Sequence, residues 1–319
     1  EFLAEWHNDN PRLLVHTSGS TGKPKPLMVE KRRMLNSARI TCDFLGLKPG
    51  DTALLCMPLD YIAGKMMVVR SLQRDLRLAT VRPSSHPLAD ETLPSFTFAA
   101  MVPMQVYNTL KVPCERERLM HIHHLIIGGG AISDELAQMI KTLPNAVWST
   151  YGMTETLSHI ALRRLNGSDA TLWYTPFDGV GISLNADGCL VIDAPEVCAE
   201  PLVTNDIAQL RTDDRTGKTL FRIKGRKDNV VCSGGIKIQI EEVEETLRPH
   251  LSAPFMIVKR QDEVLGERAV LLTESADLTH IEEICRNTLP KYWVPREFLH
   301  IDHLPLTETG KPKRSFTPR

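Results

Sequence analysis

Short apolar runs that open onto glycine or small polar residues recur along this 319-residue chain. Residues 125–127 (LII) run into three consecutive glycines, and residues 146–148 (AVW) run into a polar stretch that begins at Ser149. Such runs are typical of buried strands, and helical patterns lie between them. In an open α/β sheet the ligand binds where strands end in loops of this kind. The sequence therefore predicts an α/β fold with its binding residues in these loops.

Residues 225–229 (GRKDN) form a charged, glycine-containing stretch between two apolar segments. Beyond it the pattern is that of a compact α+β unit, in which Ile240, Val243 and Leu247 share one face of a helix. A chain of this length commonly holds two domains. We therefore expect a large α/β domain over residues 1–226 and a smaller α+β domain over residues 227–319.

The overall charge argues against two classes of partner. With 38 basic and 39 acidic residues the net charge is −1, without the basic surplus that nucleic acid or an anionic membrane selects. The seven cysteines are scattered and form no C-x-x-C pair, as in proteins with reduced thiols. No apolar run approaches the roughly 20 residues of a membrane span, and the start does not have the layout of a signal peptide. We expect a cytoplasmic protein with no nucleic-acid and no membrane partner.

Residues 17–25 (TSGSTGKPK) are a run of small residues followed by lysines. Small side chains leave backbone N–H groups and hydroxyls accessible to an anion, as in phosphate-binding loops. The run is not a Walker A motif, because two residues separate its glycines and Pro24 follows the lysine. A plain polar turn is the alternative. The pattern predicts an ATP phosphate loop made of Thr17, Ser18, Gly19, Ser20, Thr21, Gly22 and Lys23.

This loop resembles the phosphate-binding signature of the acyl-adenylate-forming superfamily, which includes the acyl- and aryl-CoA synthetases. Further segments resemble the motifs of that superfamily in the same order, namely residues 151–155 (YGMTE), 204–206 (TND), 225–228 (GRKD), 233–235 (SGG) and 309–314 (TGKPKR). The resemblance implies a shortened version of the adenylate-forming fold whose C-terminal domain is mobile. It also implies a small-molecule carboxylic acid substrate, with ATP, Mg²⁺ and coenzyme A.

The resemblance implies a role for each matching residue. Attack of a carboxylate on the α-phosphorus of ATP brings two anions together, so cations and hydrogen-bond donors must offset the charge. Thr154 and Lys311 would contact the α-phosphate, and Glu155 would bind Mg²⁺. Asp228 would be the hinge residue, and Gly234 and Gly235 would line the CoA channel. The adenine and ribose would be bound by Gly128, Gly129, Gly130, Tyr151, Asp206 and Arg226.

Each of these residues has a plainer interpretation on its own. An aspartate such as Asp206, taken alone, is more often a turn residue or helix cap. Tyr151, taken alone, could simply be part of the core. Gly234 and Gly235 alone are better explained as an ordinary hairpin turn. Lys311 alone would be a solvated surface lysine. Their joint order along the chain favours the functional roles.

Residues 151–161 most resemble the bacterial o-succinylbenzoate–CoA ligases of menaquinone biosynthesis. That acid has two carboxylates, so the pocket needs a cation or donor for the one that does not react; Lys65, Ser158 and His159 are candidates by position. The chain departs from the superfamily in three ways: only 16 residues precede the phosphate loop, Tyr61 replaces a usual histidine, and Asn205 replaces a glycine.

Three alternative functions stay open. The chain could be another aryl- or acyl-CoA synthetase, or an adenylation domain that loads a carrier protein, although no carrier segment follows Lys311. A nucleotide-binding module without catalysis is the third, and the presence of both Glu155 and Lys311 argues against it. The sequence leaves the oligomeric state open, a homo-oligomer included.

Overall fold

The computed structural model describes residues 1–16, 26–130, 132–306 and 312–314. The chain forms two compact units. Unit 1 consists of Glu1–Ser183, Ile192–Leu202 and Leu210–Arg222, and unit 2 consists of Leu184–Val191, Val203–Gln209 and Ile223–Arg319. The main part of unit 2 begins close to the predicted boundary after residue 226, which itself stays a prediction.

The helices of the described residues are α1 (Phe2–His7), α2 (Lys31–Leu45), α3 (Ile62–Arg74), α4 (Pro103–Lys111), α5 (Pro113–Met120), α6 (Asp134–Lys141), α7 (Ile240–Leu247) and α8 (Leu278–Thr288). The strands of the described residues up to residue 176 are β1 (Arg12–His16), β2 (Pro26–Glu30), β3 (Thr52–Leu55), β4 (Arg77–Thr80), β5 (Phe98–Met101), β6 (His124–Ile127), β7 (Ala146–Gly152), β8 (His159–Arg164) and β9 (Thr175–Pro176). The later strands are β10 (Gly181–Leu184), β11 (Cys189–Asp193), β12 (Leu202–Thr212), β13 (Thr219–Arg226), β14 (Val230–Ser233), β15 (Ile236–Gln239), β16 (Phe255–Asp262), β17 (Gly266–Thr273) and β18 (Glu297–His300).

A seven-stranded sheet forms the centre of unit 1, in the order β4-β3-β5-β6-β7-β8-β9. The strands from β4 to β7 run parallel, and β8 and β9 add antiparallel to one edge. All four residues of β5 are buried, as expected for a parallel strand covered on both faces. The predicted α/β class is therefore confirmed, and the carboxyl ends of β5, β6 and β7 lie at the same edge of the sheet.

The strand predicted over residues 146–148 is longer than expected. It continues to Gly152, so that Ser149 and Tyr151 lie on β7 and not in a loop. The reason is β8, which pairs with β7 from Trp148↔Arg164 to Gly152↔His159 and supplies strand hydrogen bonds to the polar residues. A run of polar residues in one strand reveals nothing about a distant strand that pairs with it.

Unit 2 contains a sheet in the order β15-β14-β17-β16, with β18 added parallel to β17. Helices α7 and α8 pack against it through a buried apolar cluster. The predicted helix face is confirmed, because Ile240, Val243 and Leu247 are all buried in this cluster. Strands β10 to β13 form a further four-stranded sheet in chain order.

In the described part of the chain, no helix is both long and apolar enough to cross a bilayer. The seven cysteines all lie there, and each is a free thiol.

Candidate active site

The predicted phosphate loop from Thr17 to Lys23 and the predicted catalytic Lys311 lie outside the described residues. The other predicted site residues are described and fall into two groups. Unit 1 holds the glycines after β6, the segment 151–159 and Lys65, and unit 2 holds Asp206, Arg226, Asp228 and the two glycines after β14.

Packing and backbone conformation explain why glycine occupies two of the positions after β6. A Cβ atom on Gly128 would lie 2.4 Å from Oγ1 of Thr150 on the neighbouring β7, and Gly129 has a φ of +81°. Both positions therefore favour glycine whatever binds there. Their location at the carboxyl end of β6 is the place where an open α/β sheet binds ligands, and contact with adenine stays a prediction.

The turn after β7 is tight and strained. Gly152 packs so closely on the start of β8 that a Cβ would lie 2.3 Å from the carbonyl oxygen of Ser158. Thr154–Thr156 form one turn of 3₁₀ helix, and the buried Leu157 that follows has a φ of +65°. A branched residue rarely adopts this conformation, and strain of this kind concentrates at functional sites. The turn holds Thr154 and Glu155 at the edge of the sheet.

Glu155 presents a carboxylate that fits Mg²⁺. Its side chain is exposed, and no side chain of residues 1–16, 26–130, 132–306 and 312–314 forms an ion pair with it. The thiol of Cys198 donates to the backbone carbonyl oxygen of Glu155 over 3.3 Å. Burial raises the pKa of Cys198 to about 11, which keeps this thiol protonated. The same residues contain no group of three or more His, Cys, Asp or Glu that could enclose a metal. Mg²⁺ binding by Glu155 stays a prediction.

Tyr151 lies in a cluster of aromatic rings within unit 1. Its ring centroid is 5.0 Å from that of Phe221 and 5.7 Å from that of Tyr174. The Tyr174 hydroxyl bonds Ser149 Oγ over 2.9 Å, and the backbones of Tyr174 and Phe221 pair. These contacts fix the orientation of Tyr151, and a fixed ring is what stacking on a nucleobase requires. Tyr174 and Phe221 were not predicted from the sequence, because they join Tyr151 only through tertiary pairing.

Arg70 on α3 is a buried cation that has no anionic partner in the described part of the chain. Its side chain is 2% exposed, no ion pair reaches it within the described residues, and its Nε is buried with no acceptor. Its Nη2 donates to Ser158 Oγ over 2.5 Å. Burial lowers the pKa of Arg70 to about 10. A buried charge without a partner is costly, so Arg70 is the feature of unit 1 that most calls for an anionic ligand.

A chain of hydrogen bonds continues from Arg70 through Ser158 to His159. Ser158 Oγ lies 3.1 Å from Nδ1 of His159, and Nε2 of the same ring lies 3.2 Å from Thr41 Oγ1. Thr41 donates its own proton to the carbonyl of Ser37, so it accepts from Nε2, and Nδ1 accepts from Ser158. Burial and the charge of Arg70 hold the pKa of His159 well below 6.5. His159 is therefore neutral near pH 7 and orients Ser158 towards Arg70.

Ser158 and His159 were predicted from the sequence, whereas Arg70 was not. The usable signal was its place on α3, where it follows Met66 and Met67 by four and three residues and so continues their buried face. Lys65, the predicted cation, lies five residues before Arg70, and their side chains leave the helix about 140° apart. Its Nζ reaches the carbonyl oxygen of Leu14 over 3.4 Å. Lys65 as an acyl ligand stays a prediction.

Arg226 in unit 2 joins two predicted site residues. Its Nη1 lies 3.3 Å from Asp206 Oδ1, and its Nη2 lies 3.1 Å from Asp228 Oδ2. Asn205, which replaces the usual glycine, donates to the same Asp228 oxygen over 3.4 Å, a contact that glycine cannot make. The structure thus places the predicted ribose ligand and the predicted hinge residue around one guanidinium.

Gly234 and Gly235 form the two-residue turn between β14 and β15, with φ values of +56° and +83°. Positive φ at both positions explains why both are glycine. The hairpin interpretation is confirmed, and a role in a CoA channel stays a prediction. Tyr61, which replaces a usual histidine, is the exposed residue immediately before α3.

The profile of the AMP-binding enzyme family matches residues 2–199. The chain belongs to this family. It is similar to a solved structure from Dyadobacter fermentans, described as an acyl-CoA synthetase (AMP-forming)/AMP-acid ligase II-like protein, with 32% identity and a TM-score of 0.68. That alignment covers 98% of this chain and 91% of the other.

Curated relatives include the 2-succinylbenzoate–CoA ligases of Salmonella typhimurium, 29% identical over 93% of this chain, and of Bacillus mycoides, 25% identical over 96%. The chain spans 66% and 69% of their respective lengths. The fold is also that of the Bacillus subtilis O-succinylbenzoate coenzyme A synthetase solved with ATP and magnesium, at 23% identity and a TM-score of 0.74. That alignment covers 95% of this chain and 68% of the other.

Proposed function

We propose that this protein is an AMP-forming acid–thiol ligase that converts o-succinylbenzoate to its CoA thioester. The observation that carries the choice of acid is the buried Arg70, which donates to Ser158 and has no ion-pair partner among the residues that the structure describes. An acid with two carboxylates leaves one to be bound while the other reacts. A guanidinium with donors to spare is suited to that carboxylate.

The first half-reaction joins the acid to the nucleotide. A carboxylate oxygen of the acid attacks the α-phosphorus of ATP, the bond to the β-phosphate oxygen breaks, and pyrophosphate leaves. Mg²⁺ held by Glu155 would offset the negative charge of the phosphates. Thr154 and Lys311 donate to the oxygens on which charge accumulates, and Tyr151 stacks on the base within its aromatic cluster.

The second half-reaction transfers the acyl group to sulfur. The thiolate of CoA attacks the acyl carbon, the bond to the phosphate oxygen of AMP breaks, and the thiol proton passes to solvent. AMP and the acyl-CoA are released. The glycine turn between β14 and β15 provides backbone without side chains on which a narrow pantetheine arm can lie.

Pyrophosphate release tests this proposal. Purified protein with ATP and Mg²⁺ should release pyrophosphate with o-succinylbenzoate, and sustained AMP formation should require CoA. Benzoate, a medium-chain fatty acid and a reaction without acid run in parallel. Lys311→Ala should reduce pyrophosphate release about 10²–10³-fold, the usual loss for one transition-state donor. A clear preference for another acid would rule out o-succinylbenzoate as the substrate and leave the proposed chemistry in place. If folded protein binds ATP but releases no pyrophosphate with any of the acids, the catalytic proposal is contradicted.

A further inference from the structure

Two residues, Thr156 and Leu157, separate the two proposed halves of the site in unit 1. Before them lies Glu155, the predicted Mg²⁺ ligand. After them lies Ser158, which accepts from the proposed acid ligand Arg70 over 2.5 Å. The conformation of this short connection therefore determines how the nucleotide end and the acid end of the site are placed relative to each other.

The hydroxyl of Thr156 closes the turn that contains these residues. Thr156 is fully buried. Its Oγ1 accepts from the N–H of Met153 over 3.0 Å, and it lies 2.6 Å from the carbonyl oxygen of Ser158 and 2.9 Å from that of Met153. A hydroxyl has one proton to donate, and the shorter distance directs that proton to Ser158. One side chain thus joins the backbone at the start of the turn to the backbone at its end.

The backbone of the turn needs this support. Its own hydrogen bonds are of the 3₁₀ type, from Thr156 N–H to Met153 over 3.2 Å and from Leu157 N–H to Thr154 over 2.9 Å. Such bonds have poorer geometry than those of an α-helix. Leu157 also has a φ of +65°, which a bulky side chain adopts only where its surroundings impose it. The Thr156 hydroxyl bonds the backbone on both sides of Leu157 and so supplies part of that constraint.

We infer that Thr156 is a positioning residue for the adenylation step. This inference rests on the proposed function, in which Glu155 and Ser158 serve the same reaction. Without the hydroxyl, Arg70 stays on α3 and each substrate can still bind, but the turn no longer fixes Glu155 relative to Ser158. The carboxylate must meet the α-phosphorus in a narrow geometry, and a misplacement of about 1 Å can reduce a rate about 10²-fold. The hydroxyl should therefore affect the rate of this step more than the binding of either substrate.

The two half-reactions give a test that a purely structural role would not satisfy. Thr156→Val keeps the shape of the side chain without its hydroxyl, and should lower kcat for pyrophosphate release about 10- to 10²-fold. KM for ATP and for the acid should each change less than about threefold. Formation of the CoA thioester from chemically prepared acyl-adenylate should also change less than about threefold, because a covalent bond already joins the acyl group to the nucleotide. Thr156→Ser, which keeps the hydroxyl, should restore most of the lost rate.

Thr273→Val in unit 2 is the matched control. Thr273 is equally buried, and its Oγ1 donates to the carbonyl of Pro254 and accepts from the N–H of Ser275, each over 3.1 Å. Since both variants remove a buried hydroxyl that donates once and accepts once, they should lower Tm by similar amounts. The control should leave kcat and both KM values unchanged.

Three results would overturn the inference: an equal fall of both half-reactions in Thr156→Val, full activity of that variant, or no recovery in Thr156→Ser. Should Thr156→Val fail to fold, Thr156→Cys decides, because a thiol is only a weak donor and acceptor and should give a smaller split of the same kind. Wild-type protein that forms no acyl-adenylate would instead contradict the proposed function.

Discussion

Replacing Arg70 with methionine should separate stability from substrate selection. Burial of the charged form lowers the pKa of Arg70 from its ordinary value to about 10. A lowered pKa in a cation means that the folded protein holds its proton less tightly than the unfolded chain. At every pH below about 10 the charge therefore opposes folding, by about 3 kcal/mol for a shift of this size. Arg70→Met should not lower the free energy of unfolding, and should raise it by up to about 3 kcal/mol.

The same change should damage turnover of the diacid. A hydrogen bond to a charged group contributes about 1.5–3 kcal/mol, so kcat/KM for o-succinylbenzoate should fall about 10- to 150-fold. An analogue whose unreacting carboxylate is methylated has no charge for Arg70 to bind, and its kcat/KM should change little. The assay is pyrophosphate release with both acids, together with urea unfolding of both proteins.

Arg74→Met is the matched control, since Arg74 lies one turn further along α3 and pairs with Asp43 on the surface. This control should leave the selectivity between the two acids unchanged. A stability loss in Arg70→Met with unchanged selectivity would show that Arg70 is a structural residue and does not bind the acid.

Two further predictions concern the turn between β7 and β8. Burial and the charge of Arg70 lower the pKa of His159. Below pH 6.5 the unfolded chain therefore binds more protons than the folded protein, and the free energy of unfolding should fall by up to about 1.4 kcal/mol for each pH unit. Urea titrations at several pH values should show this slope, and His159→Gln should flatten it. Gly152→Ala places a Cβ 2.3 Å from the carbonyl of Ser158 and should destabilise unit 1 by about 1–3 kcal/mol, measured as a lower Tm. Gly181→Ala, whose nearest contact would be 3.4 Å, is its control, and equal effects of the two changes would contradict the packing argument.

Local patterns in the sequence were enough to predict much of the fold. The apolar run at residues 125–127 becomes β6, and the helical spacing of Ile240, Val243 and Leu247 becomes the buried face of α7. These features depend on the side chains of one segment and its own periodicity. The predicted end of β7 was wrong by several residues, because the pairing of this strand with β8 outweighs the polar character of residues 149–152.

The candidate site was less accessible to sequence reasoning wherever distant segments meet. Ser158 and His159 stand next to a recognisable motif, whereas Arg70 joins them from 88 residues away in the chain. No local spacing encodes such contacts, and a basic residue in a single sequence looks the same whether it is solvated or buried. Burial of Arg70 with no anion beside it among the described residues can be seen only once the chain is folded.

The proposed reaction can be tested by identifying its products. Protein, ATP, Mg²⁺, o-succinylbenzoate and CoA are incubated together, and the nucleotide and thioester products are identified by mass spectrometry. We expect AMP, pyrophosphate and o-succinylbenzoyl-CoA, with AMP and thioester in equal amounts, and no thioester when CoA is omitted. Formation of ADP and phosphate in place of AMP and pyrophosphate, or AMP formation without any thioester in the presence of CoA, would contradict the proposed reaction.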